Sequence, residues 1–238
     1  MPVSPEQEWS LVAAGLIAHA DGVLEVGEWD QVLWLLDERL GVEEAGRWLD
    51  LLADRDKLRA HLDNLAPPPQ FLAESILDKA WRMALADGRV TETEERAHDE
   101  LATRLGVELD DVEKWRTQWT ARAGKRAEVI AGFAALIARA DETVTSEERM
   151  QFEELLERLP LPPERRKQLA ARLDDPPPLM EVVGGMTALP PEDRVLALLG
   201  LVPIVRADDR SDRARDQFLD LAQQVAVARE DAEKMLDR

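Results

Sequence analysis

Residues 20–28 read Ala-Asp-Gly-Val-Leu-Glu-Val-Gly-Glu, with an apolar helical segment before them and an amphipathic one after them. A Gly just past an apolar-periodic run is a common left-handed stop for a helix, so this stretch predicts a hinge between two helices. Versions of the hinge recur at Asp87, Asp141 and Asp208. The chain is therefore expected to be organised around four acidic helix-to-helix hinges.

The spacing of the four hinges predicts the domain organisation. The first two are 66 residues apart and the last two 67, whereas the first and third are 120 apart and the second and fourth 121. A unit of about 120 residues copied in tandem, itself made of two half-repeats, accounts for all four distances. No alternating strand pattern competes with this interpretation. We predict an all-α protein of two helical domains, residues 1–122 and 123–238.

Helix start and stop signals occur in both units. Thr91-Glu92-Thr93-Glu94 and Thr145-Ser146-Glu147-Glu148 each have the form of a capping box, in which Thr and Glu satisfy the first backbone N–H groups of a helix. Residues 179–189 are expected to be an insertion with one helical turn. Helices are predicted over residues 6–20, 26–40, 42–65, 71–86, 91–106, 108–122, 129–140, 146–159, 163–173, 191–207, 212–226 and 229–237.

The charge of the 238-residue chain limits its partners. There are 49 acidic and 30 basic residues, which give a net charge of −19 at pH 7. Nucleic acids and anionic membrane surfaces are bound through clusters of Lys and Arg, so both are disfavoured. Such a charge suits solubility, cations and basic partner proteins. We expect a protein partner and no nucleic acid.

Compartment signals favour the cytoplasm. The chain has no cysteine, which excludes disulfides, thiolate chemistry and Cys-based zinc sites and is typical of a reducing compartment. The first residues, Met-Pro-Val-Ser-Pro-Glu, have neither the basic nor the apolar region of a secretory signal. Apolar runs such as residues 195–205 fall short of the roughly 20 residues that a bilayer span needs. We predict a cytoplasmic protein that is not transmembrane.

Two physical interpretations fit the hinge carboxylates. Three of the four hinges place a Glu seven residues after the hinge Asp. An Asp at the C-terminal end of a helix faces the negative end of the helix dipole, which costs roughly 0.3–1 kcal/mol unless something offsets it. The offset is structural if the Asp accepts backbone N–H groups and the Glu completes a capping box. It is a hard cation, Ca²⁺ or Mg²⁺, if carboxylate oxygens of both hinges bind one.

The paired Ala-Asp-Gly-x-x-x-x-x-Glu hinges resemble those of the TerB-like family, the helical domain of tellurite-resistance systems that also occurs in some DnaJ-type membrane co-chaperones. The resemblance covers most of residues 6–122, with a weaker copy over 126–237 in which Glu142 and Asp209 replace the hinge Gly. It implies an all-α fold and a role in stress response rather than catalysis. It also implies that acidic hinge residues hold metal, and the matching positions are Asp21, Glu28, Asp87 and Glu94, then Asp141 and Glu148.

Other chemical signals are few. Glu95-x-x-His98 is half of a di-iron carboxylate pattern without a second copy, so an exposed helix position is favoured for His98. His19 lies on an apolar helix, where a hydrogen-bonded or partly buried imidazole is the common outcome. The chain has no Tyr, five Ser, no phosphate loop, no nucleophile elbow and no His-Pro-Asp tripeptide of a J-domain. Core packing is favoured over an exposed partner-binding patch for all seven Trp, residues 9, 29, 34, 48, 81, 115 and 119.

These observations predict a non-enzymatic helical protein that acts as a stress-associated interaction module, with a divalent cation bound at the acidic hinges of the first domain. The alternative is an acidic helical adaptor that binds a basic or apolar protein partner without metal. Cation-dependent stability separates the two, because a ligand that binds only the folded state raises the midpoint of unfolding.

Overall fold

The regular secondary structure is helical throughout the residues that the computed structural model describes, which are 4–20, 42–140, 144–207 and 212–237. The first helices are α1 (Pro5–Ala18), α2 (Val42–Leu52), α3 (Arg55–Asn64), a 3-10 turn (Gln70–Leu72), α4 (Ala73–Ala84) and α5 (Glu92–Arg104). The chain continues with α6 (Leu109–Ala138), α7 (Ser146–Arg158), α8 (Pro163–Ala170), a 3-10 turn (Ala171–Leu173), α9 (Leu179–Thr187), α10 (Pro191–Arg206), α11 (Asp212–Gln224) and α12 (Arg229–Leu236). The all-α prediction is confirmed, and the helix predicted over 26–40 lies outside the described residues.

The chain divides into two compact units, Met1–Ala123 and Gly124–Arg238. Helix α6, 30 residues long, continues through this division, so the prediction of two helices over 108–122 and 129–140 is wrong. The Gly at 124 does not end the helix, because a helical Gly costs only about 1 kcal/mol relative to Ala and no Pro follows it. Its neighbours, Ala and Lys, are strong helix formers.

Helix α1 is the central helix of the first unit. It packs against α3, α4 and α5 and is buried on nearly every side from Trp9 to Ala18. The backbone of Gly15 comes so close to the neighbouring helices that an added Cβ would lie 2.6 Å from Leu52 Cδ2 and 2.8 Å from Leu58 Cδ2. A glycine is therefore needed at this position of the core.

The single helix predicted over 42–65 is in fact two helices. Asp54 lies between α2 and α3, and its Oδ1 accepts the backbone N–H groups of Asp56 and Lys57, each at 3.1 Å. An Asp in this position is a strong N-cap and begins a new helix. The prediction is wrong because apolar residues continue at helical spacing on both sides of the break. The spacing of apolar residues does not show that a new helix begins between them.

The core of the second unit surrounds three fully buried phenylalanines, Phe133, Phe152 and Phe218. Helix α10 packs against α7, α11 and α12. Residues 179–189, predicted as an insertion with one turn, contain the nine-residue helix α9. Its Gly185 allows close contact with α6, since an added Cβ would lie 2.6 Å from Val129 Cγ2. Gly185 thus permits close packing, and neither glycine of this segment breaks the helix.

Helices α5 and α11 end with the same turn. Gly106 has φ of +70° and Ala226, 120 residues later, has φ of +63°. The next residue in each case donates its backbone N–H to a carbonyl five residues earlier, Val107 to Ala102 and Val227 to Ala222, both at 2.9 Å. This is the Schellman pattern, in which a left-handed residue closes the helix.

Candidate functional site

The hinge between α4 and α5 is held by its own carboxylates. Asp87 Oδ1 accepts the backbone N–H of Arg89 at 2.7 Å. Glu94 is buried, and its Oε2 accepts the backbone N–H of Thr91 at 2.6 Å and the Thr91 hydroxyl at 2.8 Å. Thr91 Oγ1 in turn accepts the backbone N–H of Glu94 at 3.2 Å. The predicted capping box is confirmed, and it encloses one of the two hinge carboxylates.

The second unit repeats this cap at the start of α7. Glu148 is 2% exposed, and its Oε2 accepts the backbone N–H of Thr145 at 2.8 Å and the Thr145 hydroxyl at 2.9 Å. Thr145 Oγ1 accepts the backbone N–H of Glu148 at 3.1 Å. The hinge Asp of this copy, Asp141, lies outside the described residues. The described Glu of each unit therefore has the same structural task.

Half of the residues predicted to bind Ca²⁺ or Mg²⁺ lie within the described ranges. These are Asp87 and Glu94, whereas Asp21 and Glu28 lie outside them. Among the residues that the structure describes, no three or more His, Asp or Glu side chains are grouped to hold a metal ion. The capping box accounts for the burial of Glu94 on its own, so metal binding at the hinges stays a prediction.

Side chains two residues before the first hinge of each unit make equivalent contacts. His19 Nε2 lies 2.7 Å from the carbonyl oxygen of Leu52, to which it donates. Arg139, 120 residues later, donates Nη1 to the carbonyl oxygens of Leu173 and Asp174 at 3.4 and 3.3 Å. Leu52 ends α2 and Leu173 ends the turn after α8. In each unit an N–H donor thus caps a helical C-terminus, where donors are favoured, and the hydrogen-bonded His19 that we expected is confirmed.

His98 is fully buried on α5, so the prediction of an exposed position is wrong. Its Nε2 lies 3.0 Å from the Leu77 carbonyl oxygen, and its Nδ1 lies 2.8 Å from Arg116 Nη2 and 3.2 Å from Arg116 Nε. A carbonyl only accepts and a guanidinium only donates, so the ring is neutral with its proton on Nε2. Both nitrogens are engaged, which leaves neither for a metal. Burial is the main cause that lowers the pKa of His98 to about 4.

Arg116 joins His98 to its surroundings. Its Nη2 donates to Asp99 Oδ1 at 2.6 Å, and its guanidinium carbon lies 4.8 Å from the centre of the Trp81 ring. The His98 ring meets the rings of Trp81 and Trp119 edge-on, with centroids 5.1 and 6.3 Å away. We call these five residues the histidine–arginine node. Sequence reasoning missed it because the node joins α4, α5 and α6, and only the Glu95-x-x-His98 spacing drew attention to one member.

The tryptophans serve the core, as predicted, wherever the structure describes them. Trp9, Trp48, Trp81 and Trp119 are buried, and Trp115 packs partly buried against them. The other two, at 29 and 34, lie outside the described residues. The five described tryptophans therefore stabilise the first unit and do not form an exposed patch.

The node has an apolar counterpart in the second unit. Residues 120 positions later are Phe218 in place of His98, Leu219 in place of Asp99 and Leu236 in place of Arg116. All three apolar side chains are buried. Positions 120 residues apart on α5 and α11 are thus buried in both units, but the side chains change from polar to apolar.

A cleft of about 400 Å³ opens in the first unit between α1, α3 and α5. Its apolar lining includes Leu16, Leu62 and Leu101. Its charged lining consists of four arginines and two carboxylates, namely Arg55, Arg59, Arg96, Arg104, Asp63 and Glu100. We call it the arginine cleft. Sequence reasoning missed the cleft because its arginines lie on two helices that are far apart in the chain. The local signal for it is the pair of arginines four residues apart on α3.

The second unit differs at the positions that lie 120 residues after the cleft residues. Its Gln217 stands where the first unit has Ala97, a cleft residue, and the Gln217 amide donates to the Leu136 carbonyl oxygen at 3.0 Å. Leu136 is the counterpart of Leu16 in the cleft. Asp216 and Gln224 replace the two arginines that α5 contributes. The two arginines that α5 contributes to the cleft are therefore not repeated 120 residues later on α11.

Comparison with known proteins finds a family model that matches part of the chain. Residues 127–236 match the family model described as Tellurite resistance protein TerB. The match covers the second unit, the copy with the less regular hinges. Neither the curated proteins nor the solved structures contain a match. None of the helices in the described residues is both long and apolar enough to cross a membrane.

Proposed function

We propose, from the premise that residues 127–236 form a TerB-like domain, that the chain is a non-enzymatic protein-interaction module of two TerB-like units that acts in a stress response. The arginine cleft is the observation that carries this proposal. It is open and charged in one unit, whereas a side chain bridges its counterpart in the other. A duplicated fold in which one copy keeps an open cleft suits recognition better than scaffolding alone.

The tandem arrangement is supported by contacts that recur after 120 or 121 residues. The helix end at Gly106 recurs at Ala226 with the same backbone hydrogen bonds. The bond from His19 to the end of α2 recurs as the bond from Arg139 to Leu173. These pairs are distant in sequence and unlike in residue type, so shared geometry explains them better than shared composition does.

The non-enzymatic part of the proposal rests on how the described polar groups are used. The buried carboxylates Glu94 and Glu148 cap helices, and the buried His98 holds a neutral hydrogen-bonded position. A general base needs a pKa near the working pH and access to a substrate. A fully buried imidazole whose pKa is about 4 has neither.

Deletion of the gene in its source cells tests the stress role. Growth in graded tellurite and peroxide is compared for the deleted cells, for cells that regain the wild-type chain, and for cells that regain Ala97→Gln or Ala121→Gln. Ala97 lines the cleft, whereas Ala121 is an exposed residue of α6. We expect the wild type and Ala121→Gln to restore growth and Ala97→Gln to fail. Deleted cells that grow normally would refute the stress role, and restoration by Ala97→Gln would refute interaction through the cleft.

Divalent-cation binding by Asp21, Glu28, Asp87 and Glu94 is a second candidate. It is favoured by two carboxylates, Asp87 and Glu94, that lie seven residues apart at a single hinge, one of them buried. A cation that binds only the folded protein raises the thermal midpoint by mass action. The midpoint is measured with millimolar Ca²⁺ or Mg²⁺ and with chelator, for the wild type and Asp87→Asn. A rise that Asp87→Asn abolishes would support the site, and an unchanged midpoint would remove it.

A further inference from the structure

We propose that the arginine cleft binds an acidic, amphipathic segment of a partner protein. This rests on the proposed function and names the chemistry of the partner at the same site. The four guanidiniums of the cleft outnumber its two carboxylates, so the cleft is a positive region in a chain whose net charge is −19. Charge complementarity therefore points to carboxylates as the groups that it receives.

Two of the four arginines make no contact that stabilises the described fold. Within the part of the chain that the structure describes, Arg55 and Arg59 make no hydrogen bond or ion pair, and both are exposed. They stand four residues apart on α3, where like charges repel. Arg55 is also the first residue of α3, at the positive end of the helix dipole, where a cation is unfavourable. A bound anion would offset both the repulsion between the two arginines and the unfavourable position of Arg55 at the helix dipole.

The other two arginines are partly engaged. Arg104 Nη2 donates to Asp63 Oδ1 at 2.7 Å, and Arg96 Nε donates to the carbonyl oxygen of Glu92 at 3.0 Å. The Arg104 pair is exposed at both ends, so water screens it and its contribution is small. Guanidiniums bind carboxylates through two parallel hydrogen bonds, and these groups keep N–H donors for that purpose.

The apolar floor decides between classes of anion. Leu16, Leu62 and Leu101 line the cleft beneath the charged rim. Phosphate groups, whether free or in a nucleic-acid backbone, would leave this apolar surface uncovered. An amphipathic segment buries its apolar side chains in a groove while its charged side chains meet the rim. The leucines and the arginines of the cleft together therefore favour a partner segment that carries both apolar and acidic side chains.

The second unit supplies a variant that closes the cleft without a change of charge. Its Gln217 spans the space to the Leu136 carbonyl oxygen, and the equivalent change in the first unit is Ala97→Gln. The cleft charge is tested separately by the double change Arg55→Glu/Arg59→Glu. Its matched control is Arg47→Glu/Arg122→Glu, two exposed arginines of the same unit outside the cleft. Each double change takes the net charge from −19 to −23, since each Arg→Glu substitution removes two charges.

The probe is a fluorescein-labelled peptide of about 14 residues, roughly four helical turns, with Leu at helical i, i+3, i+4 and i+7 positions and Glu elsewhere. Two further peptides carry Lys in place of Glu, or Ala in place of Leu. Fluorescence anisotropy measures binding of each peptide to the full chain. Tryptophan fluorescence checks that each variant unfolds at the wild-type midpoint, because all seven Trp lie in residues 9–119.

We expect the Glu/Leu peptide to bind and the other two to bind at least about tenfold more weakly, the difference that 1.4 kcal/mol makes. Arg55→Glu/Arg59→Glu and Ala97→Gln should each weaken binding by about tenfold or more, whereas the control variants Arg47→Glu/Arg122→Glu and Ala121→Gln should not. Equal loss in the charge control, no loss in the cleft variants, or equal binding of the Glu/Ala peptide would overturn the proposal. If Ala97→Gln fails in cells while the peptide does not bind, the cleft is the interaction site and the acidic partner is wrong.

Discussion

Helices α5 and α11 lie 120 residues apart in the sequence and end in the same kind of turn, but they bury opposite kinds of side chain. Helix α5 presents His98 and Asp99 to Arg116, whereas α11 presents Phe218 and Leu219 to the same region of its own core. Both helices nevertheless end in the same left-handed turn. The helix and its closing turn therefore form with either polar or apolar side chains in the core, provided that every buried polar group has a partner. The core of the first unit therefore depends on side-chain hydrogen bonds that the apolar core of the second unit does not need.

Removal of the Arg116 side chain tests most directly whether the first unit depends on its buried polar contacts. In Arg116→Leu, the buried Nδ1 of His98 loses its donor and Asp99 loses its ion pair. We expect the free energy of unfolding of the first unit to fall by about 3 kcal/mol, since a buried unsatisfied group and a broken partly buried ion pair add. Urea unfolding followed by tryptophan fluorescence measures this unit alone.

The double change His98→Phe/Arg116→Leu copies two positions of the second unit and serves as the control. It removes donor and acceptor together, so it should be less destabilising than the sum of the two single changes by at least about 1 kcal/mol. Additive effects would show that the His98 to Arg116 hydrogen bonds are not coupled, and would contradict the role given to the node.

A second test exploits the titration of His98, because Phe218 cannot titrate. The pKa of His98 is about 4 in the folded chain, whereas an unperturbed imidazole has a pKa of about 6.5, so the unfolded chain binds more protons between these two values. The stability that the neutral His98 contributes is therefore fully present above pH 6.5 and is lost as the pH falls towards 4. The expected loss in the first unit is about 1.4 kcal/mol between pH 7.5 and 5.5, rising to about 3 kcal/mol at pH 4.

The pH series needs a variant without the imidazole, since carboxylates also titrate in acid. His98→Phe/Arg116→Leu should lose less stability than the wild type over pH 7.5 to 5.5, by about the same 1.4 kcal/mol. Parallel curves for the two proteins would mean that His98 does not sense this pH range, which would contradict its buried neutral state.

Most helices and the capping boxes can be predicted from the sequence because the residues that determine them are close together in the chain. Thr91 and Glu94 are three residues apart, and one turn of helix suffices to bring them together. The break at Asp54 was missed although it is also local, because an Asp can start a helix or lie inside one and the apolar period continued across it. The helix end expected near residue 124 is wrong for the opposite reason: a stop signal is present, but a lone Gly is only a weak one.

The node and the arginine cleft were out of reach because their members meet only through tertiary contacts. His98 and Arg116 are 18 residues apart on different helices, and Arg55 and Arg104 are 49 apart. Periodicity places each residue on a face of its helix, but it does not say which faces meet. Comparison of the two units would have helped, because Phe218 at the position of His98 indicates a buried site.

Reciprocal changes at the shared left-handed turn have a smaller expected effect and opposite signs. Gly106→Ala forces a Cβ into φ of +70°, and should lower the stability of the first unit by about 1 kcal/mol. Ala226→Gly removes the Cβ at φ of +63°, and should raise the stability of the second unit by up to about 1 kcal/mol. Tryptophan fluorescence follows the first change, and amide hydrogen exchange in α11 follows the second. Effects of the same sign would show that the two turns are not equivalent.

The smallest expected effect concerns Ser10 of α1, whose counterpart in the second unit is Ile130. The Ser10 hydroxyl is buried, and no hydrogen-bond partner lies near it in the described protein. Ser10→Ala removes an unsatisfied polar group and introduces the best helix former, so it should raise the free energy of unfolding by a few tenths to about 1 kcal/mol. Ser4→Ala is the matched control on the same helix, because Ser4 is the N-cap that accepts the backbone N–H of Gln7 at 3.2 Å. Its loss should lower stability by about 1 kcal/mol. If both changes destabilise the tryptophan-monitored transition, the Ser10 hydroxyl has a partner in solution, and the first unit is polar at one more place where the second is apolar.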